Sequence, residues 1–200
     1  MISASDALKQ LKEGNDRFVS GSPLLESLAN PERRSELQAG QEPFAIILGC
    51  SDSRVPSEIV FDCGLGHLFV IRVAGNIVAP SQIGSIEYAT SQLGTRLVVV
   101  MGHTGCGAVS ATINELRRPS EDLSPNLSTI VNRVRPAVEP LMDSGAKEAE
   151  LLNRAVQANI HQSVAQLRAG SDILAGQVQG DGLEIVGAQY SLSTGRVEFL

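Results

Sequence analysis

Long hydrophobic runs are absent from this sequence of 200 residues. No stretch approaches the roughly 18 consecutive apolar residues that a membrane-spanning helix requires, and the longest apolar runs have the length of a strand. The first residues, MISASDALKQLKEGNDRF, contain no basic leader followed by an apolar segment, which would be typical of a secretory signal. We therefore expect a cytoplasmic protein with no membrane partner.

Basic residues are also scarce and are scattered along the chain. The sequence has 16 Lys and Arg against 22 Asp and Glu, which gives a formal net charge of −6. Because nucleic acids and anionic membranes are bound by clustered basic residues, neither is an expected partner. The apolar content of 42% is enough to bury one core, and no repeat or linker divides the chain. We expect one domain over residues 1–200.

The sequence contains three cysteines. This number is odd, and it is too small for a disulfide scaffold, which a chain of this size does not need. We therefore consider a metal site or a catalytic role for these residues. Cys63, taken alone, is interpreted as a buried structural cysteine, because free cysteines are among the most buried residues.

The pattern of apolar residues predicts an α/β fold. Helical patterns over residues 3–19, with Ser5 as the cap, and over 31–39 form an N-terminal helical arm (residues 1–40). Continuous apolar runs predict buried strands, and helical patterns lie between them. The predicted strands are residues 44–49, 68–73, 97–101, 183–189 and 196–199. This order favours a mostly parallel central sheet, with four parallel strands and an antiparallel C-terminal edge strand, flanked by helices. A further helical region over 127–170 is expected to be interrupted at Pro136 and Pro140.

Two loops at strand ends carry the residues with the most chemical interest. Cys50 follows the first strand, and His103 and Cys106 follow the third on the turn GHTGCG. Ligands of open α/β sheets bind at the carboxyl ends of the strands, so these three side chains are expected to meet. Two thiolates and one imidazole suit zinc and leave one tetrahedral position open, as in catalytic sites. A disulfide between Cys50 and Cys106 is the alternative in an oxidising compartment.

Asp52 and Arg54 follow Cys50 by two and four residues. Alternation in an extended loop would place both on the side of the ligand. The carboxylate of Asp52 then has two options. It can occupy the fourth zinc position, or it can be held by Arg54 in a bidentate ion pair and accept a hydrogen bond from a zinc-bound hydroxide.

Several segments together resemble the β-carbonic anhydrase family. They are GNDRF at 14–18, CSDSR at 50–54, RVAGN at 72–76, SIEY at 85–88, GHTGCGAV at 102–109 and GAQYSLSTGRVEF at 187–199. The similarity covers nearly the whole chain, so it does not depend on one short motif.

The resemblance implies reversible hydration of carbon dioxide to bicarbonate and a proton by zinc-bound hydroxide. One zinc ion per chain would be held by Cys50, His103 and Cys106, and the dyad of Asp52 and Arg54 would keep its fourth position open. The resemblance also implies a substrate pocket near the interface of a dimer or tetramer. The pocket positions are Gln41, Phe69, Ala74, Gly75, Tyr88 and Gly107.

The sequence departs from the family pattern at two points. The family's route of bicarbonate inhibition uses a tryptophan, and this chain has none. His67 stands where the family commonly has an acidic residue; at the site mouth it could export protons, whereas His161 is expected at the surface.

One alternative function keeps the zinc site but acts on carbon disulfide or carbonyl sulfide. The other is a non-catalytic regulatory or scaffolding protein, against which the intact Asp52 and Arg54 argue.

Overall fold

A five-stranded sheet organises the computed structural model, which describes residues 2–24, 30–120 and 122–200. Its strands are β1 (Ala45–Gly49), β2 (Leu68–Arg72), β3 (Leu97–His103), β4 (Glu184–Tyr190) and β5 (Val197–Phe199). The helices are α1 (Ala4–Ser20), α2 (Pro31–Glu36), α3 (Ser57–Val60), α4 (Pro80–Gln92), α5 (Gly107–Arg117), α6 (Pro125–Val138), α7 (Glu148–Ala169) and α8 (Asp172–Gly180). Short 3₁₀ turns occupy Leu37–Ala39, Ala74–Asn76 and Glu139–Leu141. None of the helices in the described ranges has both the length and the apolarity to cross a membrane.

The strand order is β2-β1-β3-β4-β5. β1 pairs in parallel with β2 and β3, and β3 pairs in parallel with β4. β5 runs antiparallel to β4 at the edge. The predicted fold class is therefore confirmed. Every residue of β1 and β3 is buried because helices cover both faces of the sheet, which explains their continuous apolar sequences.

The cap of the N-terminal helix lies two residues before the predicted one. Ser3, and not Ser5, is the N-cap of α1, and its hydroxyl accepts a hydrogen bond from the backbone N–H of Asp6 at 3.1 Å. α1 ends at Gly21, whose φ of 73° lies in the left-handed region that glycine adopts without strain. Of the predicted arm over residues 1–40, Met1 and residues 25–29 lie outside the described residues.

The predicted interruption of the helical region at Pro136 is wrong. Pro136 lies inside α6, near its end, where only one backbone hydrogen bond is lost. The burial of Val131, Val134 and Val138 along the same helix compensates for that loss. The sequence interpretation also missed α8, which is short and begins directly after Gly170, where the hydroxyl of Ser171 caps it.

The segment GNDRF fixes α1 against the rest of the chain. Gly14 packs against the backbone of Phe61 so closely that a Cβ at this position would lie 1.9 Å from the carbonyl oxygen. The buried amide of Asn15 donates to the carbonyls of Val60 and Gly195, at 3.0 and 2.9 Å. Helix α1 is thus held against two distant parts of the chain by one close backbone approach and two hydrogen bonds, which tolerate little displacement.

An ion pair adds a further attachment of α1 to the same turn. The side chain of Asp62 is fully buried, and its Oδ2 accepts a hydrogen bond from Arg17 Nε at 2.5 Å. Its other oxygen accepts from the backbone N–H of Leu24 at 2.8 Å. Because a buried carboxylate needs such partners, Asp62 holds α1 and the segment that follows it to one point.

Candidate metal centre

The candidate site lies where the connections of the sheet diverge. The chain leaves β1 towards β2 at one edge, whereas it leaves β3 towards β4 on the other side, and β1 and β3 are neighbours. Such a switch point opens a crevice at the carboxyl ends of the two strands. Cys50 directly follows β1. His103 is the last residue of β3, which continues two residues beyond the predicted end at Met101, and Cys106 is the N-cap of α5.

The three predicted metal ligands meet in this crevice. One ligand atom from each of Cys50, His103 and Cys106 lies within 4.8 Å of the other two, and all three side chains are buried. His103 Nδ1 lies 3.0 Å from the carbonyl oxygen of Thr104. Because a carbonyl only accepts hydrogen bonds, Nδ1 carries the proton, and Nε2 presents a lone pair.

His103 Nε2 is buried and has no hydrogen-bond partner. A buried lone pair without a partner is costly, and one metal ion bound by this nitrogen and the two sulfurs would satisfy it. The donor set, one imidazole and two thiols, is one that zinc prefers and that leaves room for a fourth ligand. The residues present therefore fit a zinc ion.

The two thiols share their protons unequally. A hydrogen bond from Cys106 lowers the pKa of Cys50, and the backbone N–H of Gly75 acts in the same sense. The hydrogen bond to Cys50, together with burial, raises the pKa of Cys106, while the N–H groups of Val109 and Ala108 at the start of α5 oppose this rise. One proton is thus held between the two sulfurs, and a cation in its place would stabilise both as thiolates.

Asp52 and Arg54 form the predicted bidentate pair beside this cluster. Arg54 Nε donates to Asp52 Oδ1 at 2.9 Å, and Nη2 donates to Oδ2 at 2.7 Å. These bonds hold the pKa of Asp52 well below its usual range. Asp52 Oδ2 lies 3.8 Å from His103 Nε2, so the carboxylate borders the metal ligands.

The backbone around this pair differs from the extended loop that the sequence suggested. Residues 53 and 54 form a turn, and the backbone N–H of Arg54 donates to Asp52 Oδ1 at 3.0 Å. Asp52 therefore builds the turn that brings the guanidinium of Arg54 back to its own carboxylate. The two residues are neighbours because of this turn, and not because of strand alternation.

Arg72, at the end of β2, has a role that the sequence interpretation missed. Its Nε donates to the carbonyl of Cys50 at 3.0 Å, and its Nη2 donates to the carbonyl of Asp52 at 2.6 Å. It thereby fixes the backbone on both sides of Ser51. Its position at the carboxyl end of a strand adjacent to β1 is the signal that would have identified it.

The predicted pocket residues fall into two groups. Ala74, Gly75 and Gly107 lie beside the cluster: Gly75 donates its N–H to Cys50 Sγ at 3.4 Å, and Gly107 directly follows Cys106. Phe69 lies lower on β2, level with Ile46, and its ring centroid is 6.3 Å from that of Tyr88.

Gln41 precedes β1 and therefore lies towards the amino-end edge of the sheet. There it lines a cavity of about 510 Å³ with Leu65 and Gly66. At about 3.3 Å per residue, the length of β1 puts roughly 16 Å between this edge and the one that carries Cys50. The fold of one chain thus brings Ala74, Gly75 and Gly107 to the metal ligands, but leaves Gln41 at the opposite edge.

The remaining histidines and cysteine lie away from the cluster. His67 precedes β2, and its carbonyl pairs with the N–H of Phe44, so it occupies the amino-end edge and not the site mouth. Its Nδ1 accepts a hydrogen bond from the N–H of Gly64 at 3.2 Å. Cys63 is buried, and His161 is exposed on α7. A role for His67 in exporting protons within one chain is therefore not supported by its position.

Comparison with known proteins gives the same result as the geometry. The family model described as carbonic anhydrase matches residues 45–197 of this chain. The chain belongs to the β-carbonic anhydrase family. It is therefore a member of a family of lyases, and the resemblance seen in its motifs is confirmed.

Individual carbonic anhydrases are similar to this chain over most of their length. Carbonic anhydrase 2 of Mycobacterium tuberculosis (strain ATCC 25618 / H37Rv) is 41% identical over 192 residues, which cover 95% of this chain and 89% of that protein. The carbonic anhydrase of Mycolicibacterium smegmatis is 42% identical, with 96% and 91% covered. A structure described among two tetrameric β-carbonic anhydrases from Sordaria macrospora superposes with a TM-score of 0.75 at 27% identity, and covers 86% of this chain and 87% of that chain.

Proposed function

We propose that this β-carbonic anhydrase family member catalyses the reversible hydration of carbon dioxide to bicarbonate and a proton. The observation that carries the proposal is the buried cluster of Cys50, His103 and Cys106, in which His103 Nε2 lacks a partner beside a carboxylate held by Arg54. The names of the two mycobacterial relatives support the same reaction.

We infer that Cys50, His103 and Cys106 hold one zinc ion per chain. When bound there, zinc supplies Lewis acidity that brings the pKa of a coordinated water to about 7. The protein's own contribution is to fix the three ligands: Thr104 orients the imidazole, Gly75 contacts one sulfur, and Arg72 fixes the backbone of Cys50.

Asp52 is the residue that would accept a hydrogen bond from a hydroxyl group at the open position and so orient that group. A carboxylate has about four acceptor sites. Oδ1 of Asp52 already accepts two hydrogen bonds from Arg54, whereas Oδ2 accepts one and faces the ligand cluster. Oδ2 thus keeps an acceptor site for a hydroxyl group in the crevice. Because Arg54 engages both oxygens, it also opposes rotation of Asp52 into the metal's fourth position.

The experiment measures zinc content and carbon dioxide hydration on the same samples by stopped flow across pH. We expect about one zinc per chain, and we expect Cys50→Ser and His103→Ala to lose both zinc and activity. Cys63→Ser is the matched control, since Cys63 and Cys50 are both 4% exposed but only Cys50 belongs to the cluster. A wild-type protein without zinc, or with zinc and no hydration above the buffer rate, would show the proposal to be wrong.

The same assay separates the competing functions. Faster turnover of carbon disulfide or carbonyl sulfide than of carbon dioxide would indicate the alternative substrates. A zinc-loaded protein that turns over none of the three substrates would indicate a regulatory or scaffolding role.

We further propose that the substrate pocket is completed by self-association into a dimer or tetramer. Within one chain Gln41 lies at the edge of the sheet away from the cluster, and Tyr88 is 51% exposed although its ring packs beside Phe69. A second copy would allow both side chains to reach a metal centre. The Sordaria macrospora protein is described as tetrameric, which supports this assembly. Sedimentation velocity tests it: a monomer that hydrates carbon dioxide at full rate would contradict it.

A further inference from the structure

An unusual backbone turn supplies one of the contacts to the metal ligands. Gly75 and Asn76, which follow β2, both have positive φ values of 71° and 44°. The first of them directs its N–H at Cys50 Sγ, at 3.4 Å. A left-handed conformation is uncommon for any residue with a side chain, although asparagine adopts it more readily than most, so contacts from outside the turn help to hold it.

Helix α7 supplies that support. Asn159 Nδ2 donates to the carbonyl of Gly75 at 2.8 Å, and Ser163 Oγ donates to the carbonyl of Asn76 at 3.1 Å. The two donors are four residues apart, so they lie on the same side of the helix. Both are almost fully buried, which means that water does not compete for these carbonyls.

The position of α7 is itself fixed close to the metal ligands. Ile160, the residue after Asn159, lies against Gly102 and Gly187 of the sheet. A Cβ at either glycine would come within 2.7 or 2.8 Å of the Ile160 side chain. Because Gly102 directly precedes His103, the helix that holds the Gly75 turn is packed on the strand that ends in a metal ligand.

We propose that Asn159, assisted by Ser163, is a positioning residue for the metal centre: it holds the Gly75–Asn76 turn so that the Gly75 N–H donates to the Cys50 sulfur. The inference rests on the proposed zinc site. A hydrogen bond to a metal-bound thiolate withdraws electron density from the sulfur. It also fixes the orientation of the cysteine side chain. Outer contacts of this kind typically change metal affinity by 10- to 100-fold.

The test compares zinc affinity, measured by competition with a chromophoric chelator, in the wild type, Asn159→Ala and Ser163→Ala. Asn15→Ala is the matched control. Asn15, like Asn159, is a buried asparagine whose amide donates to backbone carbonyl groups, but its acceptors are Val60 and Gly195 and not the Gly75 turn. Cobalt(II) replaces zinc in a second measurement, which records the energy of the sulfur-to-cobalt charge-transfer band.

We expect Asn159→Ala to raise the zinc dissociation constant by roughly 10- to 100-fold, and to move the charge-transfer band to lower energy. Ser163→Ala should shift both in the same direction by less, and it keeps the test available if the first variant does not fold. Asn15→Ala should lower stability but leave both readouts unchanged. Unshifted affinity and spectra in both α7 variants, or an equal loss in Asn15→Ala, would overturn the proposal. A wild-type protein that binds no zinc would instead overturn the proposed function, and this inference with it.

Discussion

Substitution of Gly14 by alanine tests the close contact between α1 and the Phe61 turn. A Cβ on Gly14 would lie 1.9 Å from the carbonyl oxygen of Phe61, and real Cβ atoms essentially never approach another heavy atom within 3.0 Å. The helix and the turn must therefore separate by about 1.1 Å, the difference between these distances. The obstacle is backbone, so a side-chain rotation cannot relieve it.

The expected cost combines two opposing effects. Overpacking of this kind destabilises by typically 1–3 kcal/mol. Alanine is favoured over glycine in a helix interior by about 1 kcal/mol, which offsets part of that cost. Separation of α1 also lengthens the hydrogen bonds of the adjacent Asn15, which adds to the loss. We expect Gly14→Ala to lower the free energy of unfolding by about 2 kcal/mol, or the melting temperature by roughly 4–8 °C.

Urea unfolding followed by circular dichroism, at one protein concentration, measures this effect. Gly84→Ala is the matched control, since Gly84 lies inside α4 and a Cβ there meets nothing within 4 Å. This variant should gain about 0.5–1 kcal/mol, because glycine loses more backbone entropy on folding than alanine does. If Gly14→Ala is as stable as the wild type while Gly84→Ala shows its gain, the deduction from the Phe61 contact is refuted.

Three further predictions concern charged groups. Arg17→Ala should destabilise the protein by about 3 kcal/mol, because it leaves the buried Asp62 carboxylate without its ion-pair partner. The control is Arg196→Ala, which breaks an exposed ion pair and should cost less than about 1 kcal/mol. Urea unfolding measures both losses. Burial, with a smaller contribution from Arg33, lowers the pKa of His67, so the unfolded chain binds the extra proton first. Stability from this residue is present above about pH 6.5 and lost as the pH falls below it; His67→Asn should flatten that part of a stability–pH curve, and an unchanged slope would contradict this. Arg54→Ala should reduce carbon dioxide hydration by roughly 10- to 100-fold at unchanged zinc content, and full activity in stopped flow would show that Asp52 needs no partner.

The sequence predicts the sheet and the meeting of the candidate metal ligands well for physical reasons. Strands covered on both faces are continuously apolar, so β1 and β3 stand out without any periodicity analysis. Once they are recognised as parallel, the residues that follow them must share an edge, and this argument brings Cys50 and His103 together. No side-chain geometry is needed for that step.

Other features depend on contacts that no local pattern contains. The turn at Asp52 forms because a side-chain oxygen accepts the N–H of Arg54, and an extended loop has the same sequence. The helix around Pro136 persists because its buried side chains outweigh one lost hydrogen bond. The position of His67 could have been deduced, because a residue that precedes a parallel strand lies at the edge away from one that follows it.

The central placement of β1 and β3 bears on how the candidate metal ligands behave when the protein fluctuates. Each of these strands is hydrogen-bonded to a neighbour on both sides and buried on both faces. Local opening begins where few buried contacts hold an element, and central strands open last, near the free energy of global unfolding. Transient detachment of α1 or α8 therefore leaves the strands that carry Cys50 and His103 in register, and the spacing of these ligands persists in partly opened states.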